Sequence, residues 1–445
     1  MKKIEHPPTL YAYFKGNNNA EKLAELVTNH EVSSLVNQIN ETYKFWDKVK
    51  YIPPPKGFTP TDIWIAAKFK RRSSPYSVTI GKHHFTWFLN SQLQELLHLF
   101  DLHIGGSLEA SSLIPREEKH KYLINSIMEE AIASSQIEGA VTTRKRAKEM
   151  LRKSTPPKTK SEQMIFNNYV TIQKILEIKD EDLSFKRILE IHKLISRDTL
   201  ADKADEGCFR GSDDVNVVDA VTGNIVYAPP PSVELEALMN ELCIFFNTES
   251  HSPFVHPIIK ACIIHFMIGY VHPFVDGNGR TARALFYWYL LKKGYWLTEY
   301  LSISKLILRS KAQYAKAYLY TEIDENDLTY FIKYKLRTMK LAFESLREYI
   351  GRKIAEKKKL TDFVRLPGIN DRQALILKWY SEEPSMVLTV KELQNRSGVS
   401  NQTARNDLQG LVAVQLLEHI KLNGKTDAFV KGGKFDALIE RMIES

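Results

Sequence analysis

The twelve residues from His272 to Arg283, His-Pro-Phe-Val-Asp-Gly-Asn-Gly-Arg-Thr-Ala-Arg, dictate how two helices of this chain must meet. Pro273 biases His272 away from helical dihedrals, so the apolar run Ile258 to Tyr270 is expected to end there, with the imidazole at a loop mouth. Gly277 and Gly279 allow positive φ and expose consecutive backbone N–H groups, and the next helix is expected from about Arg280 to Lys293, before Gly294. A concave row of donors feeding a helix N-terminus is a ready anion site. Arg280 and Arg283, three apart, share one face of the first turn and can reach different phosphates of one polyphosphate. Two arginines there work against the helix dipole unless an anion offsets them.

Each of these residues also has a plainer use. A lone histidine is usually packed or solvated, Asp276 can serve as a helix N-cap, and Gly277-Asn278-Gly279 can be a tight turn. Their fixed spacing favours a nucleotide site. The segment resembles the signature of the Fic family of nucleotidyltransferases, which move AMP from ATP onto a hydroxyl side chain of a target protein, and it holds every invariant letter of that signature in order. The resemblance implies His272 as general base, Phe274 as core anchor and Asp276 as the holder of a Mg2+ that bridges the diphosphate. It further implies Gly277, Asn278 and Gly279 as a phosphate cradle, Arg280 on the α/β-phosphates and Arg283 on the γ-phosphate. The chemistry agrees: phosphoryl-type transfer needs alignment, charge stabilisation and a base of near-neutral pKa, and Mg2+ takes one or two protein carboxylates.

Upstream, Ser134-Ser135-Gln136-Ile137-Glu138-Gly139 closes what reads as a helix opened by Pro115 and the acidic turn Glu117, Glu118. Ser134 and Glu138, four apart, share a face of its last turn, and Gly139 is the expected C-cap. A glutamate at the negative end of a helix dipole calls for a compensating positive group. The run is similar to the inhibitory motif of Fic proteins, which implies that Glu138 pairs with Arg283 and restrains the enzyme. A solvent-facing glutamate is the plain alternative; a role for Glu138 in AMP removal, as in some relatives, is a third.

Between the two motifs lie Gly207-Cys208-Phe209-Arg210 and a stretch from Val215 to Tyr227 whose β-branched runs around Thr222-Gly223-Asn224 read as a hairpin. Resemblance makes it the flap on which a target segment adds a strand, fixing its hydroxyl near His272. Otherwise it is a structural hairpin.

The length of 445 residues, with 43% hydrophobic and 26% charged content, is that of a globular protein of about three domains. Met1-Lys2-Lys3 is followed by His6-Pro7-Pro8 and not by an apolar region, so no signal peptide is expected. No membrane span is expected either, since Lys260, His265 and Lys292 interrupt the apolar helices. Cys208, Cys243 and Cys262 lack metal-ligand spacing and suit reduced thiols in a cytoplasm.

The expected fold is mainly α: a Fic helical bundle with a small β-hairpin flap and a C-terminal winged helix-turn-helix domain. Its parts are an N-terminal extension (1–115), a catalytic core (116–350) including the inhibitory helix (116–139), a linker (351–366) and the winged-helix domain (367–445). In the last, a helix over Ala374 to Tyr380, one capped by Thr389, and one capped by Ser400 over Asn401 to Val414 precede strands Leu416 to Ile420 and Ala428 to Lys431 around Asn423-Gly424. Asn401, Gln402, Arg405 and Asn406 would face a partner. The formal charge of +9 is spread over runs such as Lys68 to Arg72 and Lys333 to Arg365, whereas residues 370–445 hold equal numbers of acidic and basic groups. Protein contact or homodimerisation is therefore favoured over DNA. Self-modification is a further expectation. The rival overall reading is a nucleotide-sensing transcriptional regulator, which would need phosphate donors but not His272.

Overall fold

The computed structural model describes residues 4–15, 20–74, 76–105, 119–218, 223, 225–249, 252–364, 366–423 and 426–444. Among these residues helices dominate, with two two-stranded sheets and one three-stranded sheet. The chain divides into two units, Met1–Leu346 and Arg347–Ser445.

At the centre of the first unit lies the Pro257–Val271 helix. It opens with Pro257 in the first turn and is buried on all sides from Ile258 to Ile268, as an all-round apolar sequence requires. The loop after it leads into the Asn278–Lys292 helix, which packs along it and against the Lys160–Glu177, Phe185–Ser196 and Lys119–Ile137 helices. The helix start expected at Arg280 lies two residues earlier, because Gly277 in the left-handed region acts as its N-cap. The Lys119–Ile137 helix is held between the Lys160–Glu177 and Ile303–Arg309 helices. Its expected opening at Pro115, Glu117 and Glu118 lies outside the described residues. At its other end Gly139 (φ 92°) and the bond from Ala140 N–H to Ser135 O (3.0 Å) form the glycine cap foreseen from sequence.

The N-terminal region packs on this bundle through an aromatic core in which Tyr43, Phe45, Trp46 and Trp64 meet Tyr330. Buried charge fastens it: Lys68 pairs with Asp324 at 2.8 Å, and Arg71 donates to Asn40 Oδ1 and to the Tyr330 hydroxyl, each at 2.8 Å. Of the Val215 to Tyr227 hairpin, Val217–Val218 pairs antiparallel with Ile225–Tyr227 across a register shift. In the expected turn, Thr222 and Asn224 lie outside the described residues, while Gly223 has φ 69°.

In the second unit a helix Asp371–Glu382, the short strand Leu388–Thr389, helices Val390–Ser397 and Asn401–Ala413, strands Leu417–Asn423 and Thr426–Lys431, and a final helix Phe435–Glu444 follow in order. The three strands form one sheet with Thr426–Lys431 in the middle. Thr389 and Ser400 cap their helices, and Tyr380, Leu388, Leu408 and Phe429 share a core of this unit's own. The Thr329–Val364 helix runs through most of 351–366, where a linker was expected; Lys, Glu, Ala and Leu sustain a helix until Pro367 and Gly368 end it. No helix among the described residues is long and apolar enough to cross a membrane.

Candidate functional site

His272 closes the Pro257–Val271 helix in the left-handed region (φ 49°, ψ 57°), so the chain turns out of the helix at the imidazole. Its Nδ1 lies 3.2 Å from the Gly269 carbonyl. A carbonyl can only accept, so Nδ1 carries the proton and the Nε2 lone pair is free; no described residue hydrogen-bonds Nε2. Burial lowers the His272 pKa below its ordinary 6.5, against the upward pull of the Gly269 carbonyl and of Glu138.

The loop is built from within. Phe274 is fully buried, and its ring lies flat on His192 at 3.7 Å. Asn278 turns its side chain inward, accepting from Phe274 N–H (2.9 Å) and donating to Phe274 O (2.8 Å), so its amide staples the loop and only its backbone can face a phosphate. His192 accepts from Gly207 N–H at Nδ1 (3.1 Å), which leaves Nε2–H to donate to Asp276 O (2.9 Å). Burial holds His192 neutral, with a pKa of about 4. Gly277 (φ 88°) sits against that imidazole: a β-carbon there would lie 3.2 Å from its Nε2. Truncation of Phe274 to alanine would remove the ring on which His192 rests. It is expected to lower unfolding free energy by about 3–5 kcal/mol, measurable by urea titration; a loss under about 1 kcal/mol would deny it the anchoring role.

Arg280 and Arg283 are both buried and diverge from one helix face. Arg280 Nη1 donates to Ile195 O (2.8 Å) and Nη2 stands 3.8 Å from Asp276 Oδ2, while its Nε and Nη2 lack a hydrogen-bond partner among the described residues. Arg283 reaches the Lys119–Ile137 helix: Nε donates to Ser134 Oγ (2.7 Å), and Nη2 donates to Ser134 O (3.0 Å) and Glu138 Oε1 (2.9 Å). Burial opposes the Arg283 charge, but the Glu138 carboxylate, Tyr314 and Glu130 more than reverse this and raise its pKa. Arg283 Nη1 has no partner among the described residues. Such orphaned guanidinium donors beside a helix N-terminus are the donor set an anionic ligand requires.

Glu138 also sits over the helix start itself, because a β-carbon on Gly279 would overlap its carboxylate. The anion that the two arginines call for is thus supplied by the chain. Lys311 completes the arrangement by donating to the carbonyls of Gln136 (3.0 Å) and Ile137 (3.1 Å) at the negative end of the helix. One and two turns before Glu138, Ser134 and Glu130 continue the same face; buried Glu130 accepts from Ser304 N–H at 2.9 Å and holds the helix against its neighbour. Asp276, by contrast, is half exposed (52%); its Oδ1 accepts from Gly277 N–H (2.5 Å), and Oδ2 faces Arg280.

The structure therefore brings together His272, Gly277, Gly279, Arg280, Arg283, Ser134 and Glu138, with Asp276 at the rim. Sequence inspection assigned no part to His192. Its signal was there: Ile188, Ile191, His192 and Ile195 are spaced to share one buried helix face, on which an imidazole is out of place.

A helical bundle with a helix start at a loop mouth, two buried arginines with unpartnered donors and an imidazole with a free Nε2 beside them has the groups to receive an anion and to accept a proton. Residues 182–290 match the model of the Fic/DOC family. Protein adenylyltransferase Fic of Drosophila melanogaster is 31% identical over 172 residues, covering 38% of this chain and 30% of that protein. The protein of the same name from Drosophila virilis is 29% identical over 154 residues, covering 34% and 28%. The chain thus matches less than a third of the length of these curated relatives. Among solved structures, a Fic family protein from Desulfovibrio desulfuricans is 20% identical with a TM-score of 0.45, covering 78% of this chain and 98% of that one. Fic-1 from C. elegans is 18% identical with a TM-score of 0.44, covering 78% and 91%.

Proposed function

We propose that this protein transfers AMP from ATP to a serine, threonine or tyrosine hydroxyl of a target protein, and that Glu138 restrains it. The observation that carries this is the Glu138 carboxylate on Arg283, over Gly279 and beside an imidazole whose Nε2 is free. An anion already rests where a triphosphate tail would lie, next to a base with no other task. In the reaction, the target oxygen attacks the α-phosphorus, the bond to the β-phosphate oxygen breaks, pyrophosphate leaves, and the hydroxyl proton passes to His272 Nε2. Backbone N–H groups of Asn278 and Gly279 and the unpartnered donors of Arg280 and Arg283 would take the phosphate oxygens, joined by Gly277 N–H once the Asp276 carboxylate that now accepts from it (2.5 Å) turns away.

The donor set fits Mg2+ as a companion of ATP. Among the described residues no cluster of three or more His, Cys, Asp or Glu could hold a metal, but a single exposed carboxylate, Asp276, stands at the helix start where phosphates would supply the remaining oxygens. A bound Mg2+ would neutralise diphosphate charge there.

The hairpin fits a role as target platform: Val218 and Ile225 are exposed (52% and 61%), although apolar. In the second unit, which we read as a winged helix-turn-helix, Asn401, Gln402, Arg405 and Asn406 are exposed on one helix. They keep open a second reading, a nucleotide-responsive regulator, with a protein or second copy favoured over DNA as partner. Buried, unpaired Cys243 and Cys262 suit a cytoplasmic setting.

Incubation with α-labelled ATP tests the proposal: label retained on protein after denaturation supports transfer, and nucleotide binding without retained label supports the sensor. The pH profile adds a check. Because the His272 pKa is lowered, its basic form persists on acidification, so the acid limb of kcat/KM is expected below pH 6.5. Glu138→Gly, which removes an upward influence on His272, should move that limb lower still. A limb above 6.5 would speak against His272 as the base.

A further inference from the structure

Arg210 closes the Gly207-Cys208-Phe209-Arg210 segment, whose Gly207 N–H fixes His192. Its side chain is 1% exposed, yet its partners lie in three separate stretches of chain. Nε donates to His272 O (2.9 Å), and its backbone N–H donates to Pro273 O (2.9 Å). Nη1 donates to Ser212 O (2.7 Å) and Asp213 Oδ1 (3.1 Å), and Nη2 donates to Pro230 O. Asp213 Oδ1 also accepts from Ser232 N–H (2.6 Å). One planar cation thus joins the peptide carrying the imidazole to both feet of the Val217–Tyr227 hairpin.

Fastening the hairpin alone would need only the bonds to Ser212, Asp213 and Pro230. The Arg210 backbone N–H holds the Pro273 carbonyl, and the additional guanidinium bond, to His272 O, goes to the one non-glycine position of the loop with left-handed dihedrals. There a carbonyl left free could swing the peptide, and the imidazole with it. Arginine suits the task because its fork is rigid and permanently charged. We infer that Arg210 is a positioning residue for the transfer reaction, holding the His272 backbone in its left-handed turn and tying the imidazole to the hairpin on which a target segment would lie. The inference rests on His272 being the base.

Electrostatics supplies a readout that a merely structural clamp would not move. Several groups bear on His272: burial and the Arg210 charge disfavour its protonated form, and the Gly269 carbonyl, Glu138 and Asp276 favour it. The test uses the full chain carrying Glu138→Gly as parent. Arg210→Met is expected to lower kcat about 100-fold, the scale of an ångström-size misplacement, with KM for ATP little changed. In ATP-free protein, NMR titration of the His272 imidazole, assigned by its loss in His272→Asn, should give a higher pKa in Arg210→Met, and the acid limb of activity should move the same way. Arg210→Lys, which keeps charge but not the fork, should lose kcat while His272 titrates as in the parent. Asp213→Asn, which loosens the hairpin feet without touching His272, should raise KM for the target only. Parent-like kcat and titration in a folded Arg210→Met protein would overturn the inference, as would a change confined to target KM. A parent without transfer would refute the proposed activity instead, and the titration would still decide whether Arg210 governs the imidazole.

Discussion

Replacing Glu138 with glycine is expected to raise the rate of AMP transfer from ATP about 10- to 100-fold, the range of a coupling free energy of roughly 1–3 kcal/mol. The cause is competition for one place. The carboxylate takes Arg283 Nη2 at 2.9 Å and lies over Gly279 so closely that not even a methyl group fits between them. A triphosphate tail reaching Arg283 must displace it. Glu138 is 29% exposed, so water screens the pair and displacement is feasible, which is the property of a restraint and not of a permanent lock. Glu138→Gln separates the two components: it keeps the volume, loses the charge and should rise less than the glycine variant. Stability offers an independent view. Without Glu138, buried Arg283 keeps only its Ser134 bonds, so the midpoint of thermal unfolding should fall without nucleotide and recover with ATP by more than in the parent. Equal transfer rates and equal ATP affinity in the two proteins would remove the restraint from Glu138.

The site was legible in sequence where a residue's chemistry is tied to its neighbours along the chain. His272, Pro273 and Gly277 announce a turn between helices because their backbone preferences act locally, whereas Gly279, expected to turn with positive φ, lies inside the next helix; Ser134, Glu138 and Gly139 announce a helix end in the same local way. Asn278 shows the limit: a residue type suited to a phosphate cradle spends its side chain on Phe274 instead. Helical spacing marks His192 as a buried imidazole, but not that it meets Asp276, 84 positions away; Arg210 was opaque altogether, because His272 is 62 positions away and no periodicity encodes such a meeting. Fold was legible in the same measure. Apolar periodicity marks the helices of the bundle, but a charged stretch such as 351–364 looks alike as solvated linker and as continuous helix, and only the helix-forming character of its residues decides.

Removal of the His272 imidazole is expected to abolish transfer while sparing ATP binding, and that separation is what distinguishes a base from a phosphate ligand. In the Glu138→Gly background, rates should fall by about 10²- to 10⁴-fold, the usual worth of a general base. The phosphate donors we propose, the backbone N–H groups at the helix start and the free edges of Arg280 and Arg283, do not hydrogen-bond the His272 side chain, whose one described partner is Gly269 O. ATP affinity measured by calorimetry should therefore stay within about threefold, under 1 kcal/mol. The choice of variant matters, since position 272 has φ 49°, which alanine adopts at a cost but asparagine tolerates. His272→Asn should thus fold as the parent does, carry no titratable base and show the same loss as His272→Ala. Retained label in His272→Asn would take the proton to another acceptor; a parallel collapse of ATP affinity would make His272 a ligand for the nucleotide and not the group that activates the hydroxyl.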